Sequence, residues 1–305
     1  KNNMYLKNDT FFLSGDCRYY VFSQSNYGLG SDIIPYGNEF DNFDFINIEE
    51  PMKYNYFKFH ETVSYNILPS FFVGAGIHLD SYSKINDEFL DVANQKYTYH
   101  YDYSKKYGFN NEHYSVKGVS LNLIFDTRDN LINTNNGWFL NLNYRYNPQI
   151  HSNQQKSTTL LLESRYFIPL SKINKQHVLG FWAYGQFLTS GNLPYLNLPA
   201  IGWDQNSRSG KGYTQGLIRG ANLVYFESEY RFPITKNQLI SGTFFINATT
   251  ASDVDGSVKL FQSIQPAAGV GIRILLNKTT LTNFIVNFGL GRDSKTFYFN
   301  DGEGF

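Results

Sequence analysis

Polar and apolar side chains alternate along most of this chain, and a period of two confines the backbone to strands with two unlike faces. From Val119 to Thr127 the odd positions are Val119, Leu121, Leu123 and Phe125, with Ser120, Asn122 and Asp126 between them. From Trp138 the even set is Trp138, Leu140, Leu142, Tyr144 and Tyr146, against Asn141, Asn143 and Arg145. Leu160, Leu162 and Tyr166 stand against Glu163 and Arg165; Phe284, Val286, Phe288 and Leu290 stand against Asn283, Asn287, Gly289 and Gly291. About twelve strands can be read in this way, near 10–23, 54–67, 70–85, 114–128, 136–149, 157–170, 176–190, 221–234, 239–251, 266–276, 281–292 and 296–305. Each has the roughly 9–11 residues that cross a bilayer at a tilt.

The polar face separates a membrane sheet from a soluble one. A soluble sandwich turns that face to bulk water and favours Lys, Glu and Thr. Here it holds Asn, Gly, Ser and isolated acid–base neighbours, as a water-filled or networked lumen does. The connections are unequal too. Short turns near 67–70, 170–175 and 235–238 alternate with long polar segments at about 24–53, 86–113 and 191–220. That rhythm matches the periplasmic turns and extracellular loops of an outer-membrane barrel. Composition agrees: 27 Phe, 24 Tyr and 3 Trp make an aromatic fraction of 18%, yet mean hydropathy is −0.38. No stretch approaches the roughly 18–20 apolar residues of a membrane helix; Tyr and Phe are expected at the two membrane interfaces. The 26 basic and 26 acidic side chains cancel, which argues against a nucleic-acid partner. Cys17 is the single cysteine; it excludes an intrachain disulfide and falls on the apolar parity, as a lipid-facing thiol. The expected fold is all-β, an antiparallel transmembrane β-barrel over residues 1–305, in contact with outer-membrane lipid. Lys1 opens directly on polar residues without a signal peptide, so the chain reads as a mature or truncated fragment.

Four groups of residues follow one another along this pattern. Asp126-Thr127-Arg128-Asp129-Asn130 precedes Gly137-Trp138. Ser209-Gly210-Lys211-Gly212-Tyr213-Thr214-Gln215-Gly216, then Arg219, leads to Glu229-Tyr230-Arg231-Phe232-Pro233. Gly269-Val270-Gly271-Ile272-Arg273 comes next, and the chain closes on Phe297-Tyr298-Phe299 and Phe305. In this order they resemble the BamA/TamA outer-membrane assembly family, or bacterial surface antigens, from about residue 114 onward. The resemblance implies that the loop at about 191–220 folds into the lumen, with its tip Lys211-Gly212-Tyr213 clamped against Glu229 and position 247. By parity Glu227, Glu229, Arg231, Thr243, Phe245 and Asn247 face the lumen, while Val224, Phe226, Tyr230 and Phe232 face lipid. The chain departs from the family twice: Lys211 stands where an arginine is expected, and Asn247 where an aspartate is. The two changes leave a single Lys211–Glu229 pair with Asn247 accepting a hydrogen bond, a weaker clamp than a guanidinium fork. Asp126, Arg128, Asp129 and Gly137 read as a salt-bridged strand end, with Arg219, Arg231 and Arg273 as further motif positions. Parity puts Phe297, Phe299, Asp301, Glu303 and Phe305 on one, lipid-facing side of the last strand. Such terminal aromatics are read as a signal by the assembly machinery, and Asp301 reads as interfacial.

Catalytic chemistry finds no support in the sequence. The six histidines are scattered without ligand spacing, no nucleophile elbow appears, and Asp253 and Asp255 lack the downstream glutamate of a calcium loop. The chain is therefore expected to be no enzyme and to carry no cofactor or metal. Family barrels have about sixteen strands, within the known range, so up to four strands and any POTRA domains are expected before Lys1. Three functions compete: insertion or translocation of outer-membrane proteins, an accessory or pore-like subunit of an envelope complex, and an anchor for an N-terminal lipase-like passenger. Assembly-complex subunits or client barrels are the expected partners. The loops near 41–50 and 97–107 are expected to be partner surfaces or plain solvated loops.

Overall fold

Thirteen antiparallel strands follow one another in a single sheet, each hydrogen-bonded to its neighbours in chain order. The computed structural model describes residues 1–8, 10–32, 49–150, 154–172, 174, 176–302 and 305; the stretch 41–48, His151 and Glu303 lie outside them. The strands are β1 (Asn2–Leu6), β2 (Phe11–Asn26), β3 (Glu50–Leu68), β4 (Phe71–Asp87), β5 (Tyr114–Asp126), β6 (Gly137–Asn147), β7 (Ser157–Pro169), β8 (Val178–Gly191), β9 (Asn222–Pro233), β10 (Ile240–Ser252), β11 (Gln265–Asn277), β12 (Thr282–Gly291) and β13 (Ser294–Asp301). Sequence reading finds twelve of these. It misses β1 because five residues are too few to show a period. β1 nonetheless runs in register with β2, from Asn2 opposite Gly15 to Leu6 opposite Phe11.

Alternation dictates the two faces as expected. Leu121, Ile246, Ile272, Phe297 and Phe299 all point outward, each more than half exposed. In water that surface would cost about 25 cal/mol for every Å²; against acyl chains it costs nothing. Cys17 is exposed on the same face. Among the described residues no helix is long and apolar enough to cross a membrane, so the crossing falls to the strands. β1 and β13 end the strand order and are not paired to each other among the described residues.

The inner face departs from a purely polar lumen. On β3, β4 and β5 the inward set includes Tyr54, Tyr56, Tyr82 and Tyr114, all buried. Tyr56 and Tyr82 stack with centroids 4.3 Å apart. Their hydroxyls are satisfied, Tyr56 by Asp80 at 2.6 Å and Tyr82 by the Leu196 carbonyl at 3.2 Å. Tyrosine suits this place because its ring fills the barrel while its tip pairs with a polar group. The long segment expected as a loop at 86–113 contains a helix, α1 (Tyr99–Tyr107), begun by the Thr98 side chain and closed by Gly108. α1 lies over the aromatic end of the lumen: Tyr103 is buried and donates to the Leu193 carbonyl at 2.8 Å. This segment is a lid, not a plain solvated loop.

The chain's last residues depart from expectation as well. β13 stops at Asp301, and Phe305 does not continue the outward row of Phe297 and Phe299. Its ring is buried inside, stacked 5.7 Å from Phe167 and 5.5 Å from Trp182. The aromatic interior outcompetes the lipid face for this ring.

Candidate functional site: the infolded loop and its buried ion cluster

The connection between β8 and β9, residues 192–221, turns into the barrel. Two backbone stretches hold it as a narrow hairpin: Ile201 donates to the Ile218 carbonyl at 3.0 Å, and Gly220 to that of Pro199 at 2.9 Å. Arg219 locks the base. Its Nη1 donates to the carbonyls of Tyr195, Leu196 and Leu198 at 3.2–3.3 Å, and its guanidinium lies over the Tyr195 ring at 5.2 Å. Asp204 shapes the descent by accepting from the backbone N–H groups of Asn206, Arg208 and Ser209.

At the tip, Lys211 is buried among carboxylates of β9. Its Nζ lies 2.5 Å from Glu227 Oε1 and 3.2 Å from Glu229 Oε2. Tyr225 donates to the other oxygen of Glu227. Glu229 is also held by Arg231 Nε at 2.7 Å and by Arg273 Nη2, reaching from β11, at 3.0 Å. Strand register explains the gathering. On β9 the inward residues are Tyr225, Glu227, Glu229 and Arg231, and Glu229 sits opposite Phe245 of β10, whose ring lies 4.9 Å from the Lys211 ammonium. Every charge in this cluster is buried, so each relies on its partners rather than on water.

This geometry differs from the single pair expected. Lysine presents three donors on a flexible stem and reaches two carboxylates. Its shorter contact is with Glu227, and the arginine fork on Glu229 comes from Arg231 and Arg273 instead. Asn247 does not accept from the clamp: its Nδ2 donates to the Lys211 backbone carbonyl at 2.8 Å, and its Oδ1 has no partner among the described residues. An amide can donate where the expected aspartate cannot, and the nearest group is a carbonyl.

The two residues beyond Lys211 press on the opposite wall. Gly212 has φ +106°, and a Cβ there would lie 2.6 Å from the Ala267 Cβ. Its N–H donates to Thr296 of β13 at 3.1 Å. Tyr213 donates to the Pro266 carbonyl at 2.6 Å, and a Cβ on Gly291 would meet its ring at 2.5 Å. Tyr298 of β13 donates to the carbonyls of Gly210 and Tyr213 at 3.0 and 2.6 Å. On the far flank Gln24 of β2 donates to the Gln215 carbonyl at 2.5 Å, and Gln205 to Ser14 of β2 at 3.2 Å. The loop therefore bonds to strands near both ends of the sheet. Sequence reasoning missed Glu227 as a partner, Tyr298 and the β2 contacts; the last two join residues 85 or more apart, beyond any local pattern.

The remaining motif residues lie at the opposite rim. Arg128 grips Asp126 with two bonds, at 2.9 and 2.6 Å, and stacks on Phe139 at 4.3 Å. Asp129 accepts from the backbone of Asn135 and Asn136, and Gly137 opens β6. This turn joins the cluster through the bond from Arg231 Nη1 to the Thr134 carbonyl at 3.0 Å. Phe297 and Phe299 are remote from the loop on the outer face, whereas the Phe305 ring lies 5.8 Å from both Lys211 and Arg231.

Comparison with known proteins agrees with the architecture. A solved structure of BamA from Haemophilus ducreyi lacking POTRA domains 1–3 superposes with a TM-score of 0.60 at 12% identity, over 98% of this chain. The chain spans 60% of the length of that one. Among the curated proteins none matches. A family model described as the Omp85 superfamily domain matches residues 47–305. With its outward apolar band and infolded loop, the chain belongs to the Omp85 superfamily and is a multi-stranded β-barrel of the outer membrane.

Proposed function

We propose that this barrel assists the insertion or translocation of outer-membrane proteins, by offering a weakly closed sheet edge to client strands. The observation that carries the reading is the contrast between the two sides of the sheet. β3 has 19 residues and β13 has 8. At about 3.4 Å per residue these are roughly 65 Å and 27 Å long. Tilted by about 40°, β13 reaches only some 20 Å along the membrane normal, against a hydrocarbon core of about 30 Å. A span this short favours local thinning of the lipid beside β13. A short, weakly held strand is a template for strand addition by a client. The BamA likeness supports the same reading.

The test is an insertion assay with the barrel, carrying Cys17→Ser, in liposomes and a urea-denatured outer-membrane barrel as client. Single cysteines along β13 and, as a control, β6 report which strand the client touches. Insertion faster than in empty liposomes, with cross-links concentrated on β13, is the expected result. No acceleration, or cross-links spread evenly around the barrel, would leave an accessory subunit as the better description.

A further inference from the structure

A cavity of about 290 Å³ lies inside the sheet between β2–β8 and the infolded loop. Its carboxylates are already engaged within the protein. Asp16 binds Arg18 and, at 3.1 Å, Lys58. Asp80 takes Tyr56, His60 and Arg145 at 2.6–2.9 Å. Glu163 holds Arg165 at 2.6 Å and accepts from the Trp182 indole at 2.9 Å. Asp204 is spent on the loop backbone, as described above. An ion entering this space would exchange its hydration for charges that already have partners, a poor return.

What remains unpartnered is neutral. Asn141 of β6, Thr159 of β7 and Gln186 of β8 line the cavity, half-buried, and make no side-chain hydrogen bond to other described residues. They sit on three successive strands, with Gln186 between the other two in register: Asn141 faces Glu163, Leu161 faces Gln186 and Thr159 faces Arg145, so Gln186 is two register positions from each of them. Together they offer both donors and acceptors. The infolded loop contributes the other kind of surface, through Leu196, Pro199 and Trp203. Unsatisfied amides and a hydroxyl on one side, with aliphatic and aromatic carbon on another, match a solute with hydroxyls around its rim and C–H groups on its faces. The volume sits at the lower end of small-molecule pockets, roughly 300 Å³.

We propose that this chamber binds a small neutral polyhydroxylated solute of the sugar or polyol class. The inference stands apart from the insertion reading and would survive its failure. The test uses the full chain in lipid nanodiscs, titrated with glucose, with sorbitol and, as a charged control, with arginine. Saturation-transfer NMR and tryptophan fluorescence follow binding. Saturable binding of glucose or sorbitol, with arginine much weaker, is expected. Asn141→Leu and Gln186→Leu should each weaken it about tenfold, the upper worth of one neutral hydrogen bond. Thr159→Val, nearly the same in shape, gives a milder loss and serves if either leucine variant fails to fold. The outward Phe297→Ala should leave binding unchanged. No saturable binding to the folded wild type, binding that ignores all three inward substitutions, or a preference for arginine would overturn the proposal and leave a chamber filled only with water.

Discussion

Lysine at position 211 sits where two carboxylates converge, and its removal would strand one of them. Glu229 keeps Arg231 and Arg273, whereas among the described residues Glu227 keeps only the Tyr225 hydroxyl. Lys211→Met should therefore destabilise the barrel by about 3–5 kcal/mol, the usual cost of breaking a buried pair. The midpoint of urea unfolding in detergent would report it. A double-mutant cycle should locate the coupling: Lys211 with Glu227→Gln should interact more strongly than Lys211 with Glu229→Gln. Equal coupling would mean the 2.5 Å and 3.2 Å contacts are energetically alike. Gly212 makes a different demand. Alanine there needs φ +106° and collides with Ala267, so Gly212→Ala should cost roughly 1–3 kcal/mol and lift the tip from β11 and β12. Faster proteolysis within 204–216, with the sheet intact, is the expected signature.

Elements register the same logic over longer distances. α1 is tied at its outer end to the connection between β10 and β11, where Lys106 Nζ lies 2.6 Å from Asp255 and Tyr107 donates to the same carboxylate. The Lys106 hydrogen bond, then that of Tyr107, holds the Asp255 carboxyl below its ordinary value of 3.8. A depressed carboxyl pKa stabilises the folded form above the unfolded pKa, and that contribution disappears as pH falls through the folded value. The outer end of α1 should therefore be slightly better protected from neutral pH down to about pH 4 than below it, the difference shrinking in high salt because the pair is exposed. Hydrogen exchange of residues 99–107 between pH 6 and pH 3 would show this; protection that ignores both pH and Asp255→Asn would refute the tie. At the other end of the helix, Thr98→Ala removes the side-chain acceptor for the Tyr101 N–H and should cost about 1 kcal/mol, seen as faster exchange in the first turn alone.

Across the molecule, legibility in the sequence tracks how local each cause is. A strand's facing is set by its own alternate residues, so the outward rows on β5, β6, β9 and β12 were readable. The infolded loop was readable only through resemblance, because its hairpin is held by Arg219 and by partners on distant strands. The Glu227 contact and the β2 bonds were not, since they depend on the curvature that brings β2 and β13 to the same loop. The tyrosines of β3–β5 were misplaced for a similar reason: by alternation a Tyr fits the interface or the lumen equally, and α1 overhead decides. Phe305 was misread because parity assumes an unbroken strand, and β13 ends at Asp301.

The glycine-lined wall against which Tyr213 rests carries an evolutionary consequence. A methyl gained at 291 has no room until the ring at 213 shrinks, and a smaller ring at 213 leaves a void until something fills it. Two segments nearly eighty residues apart are thus bound to drift as a pair. Within any set of related sequences, their side-chain volumes should trade off inversely.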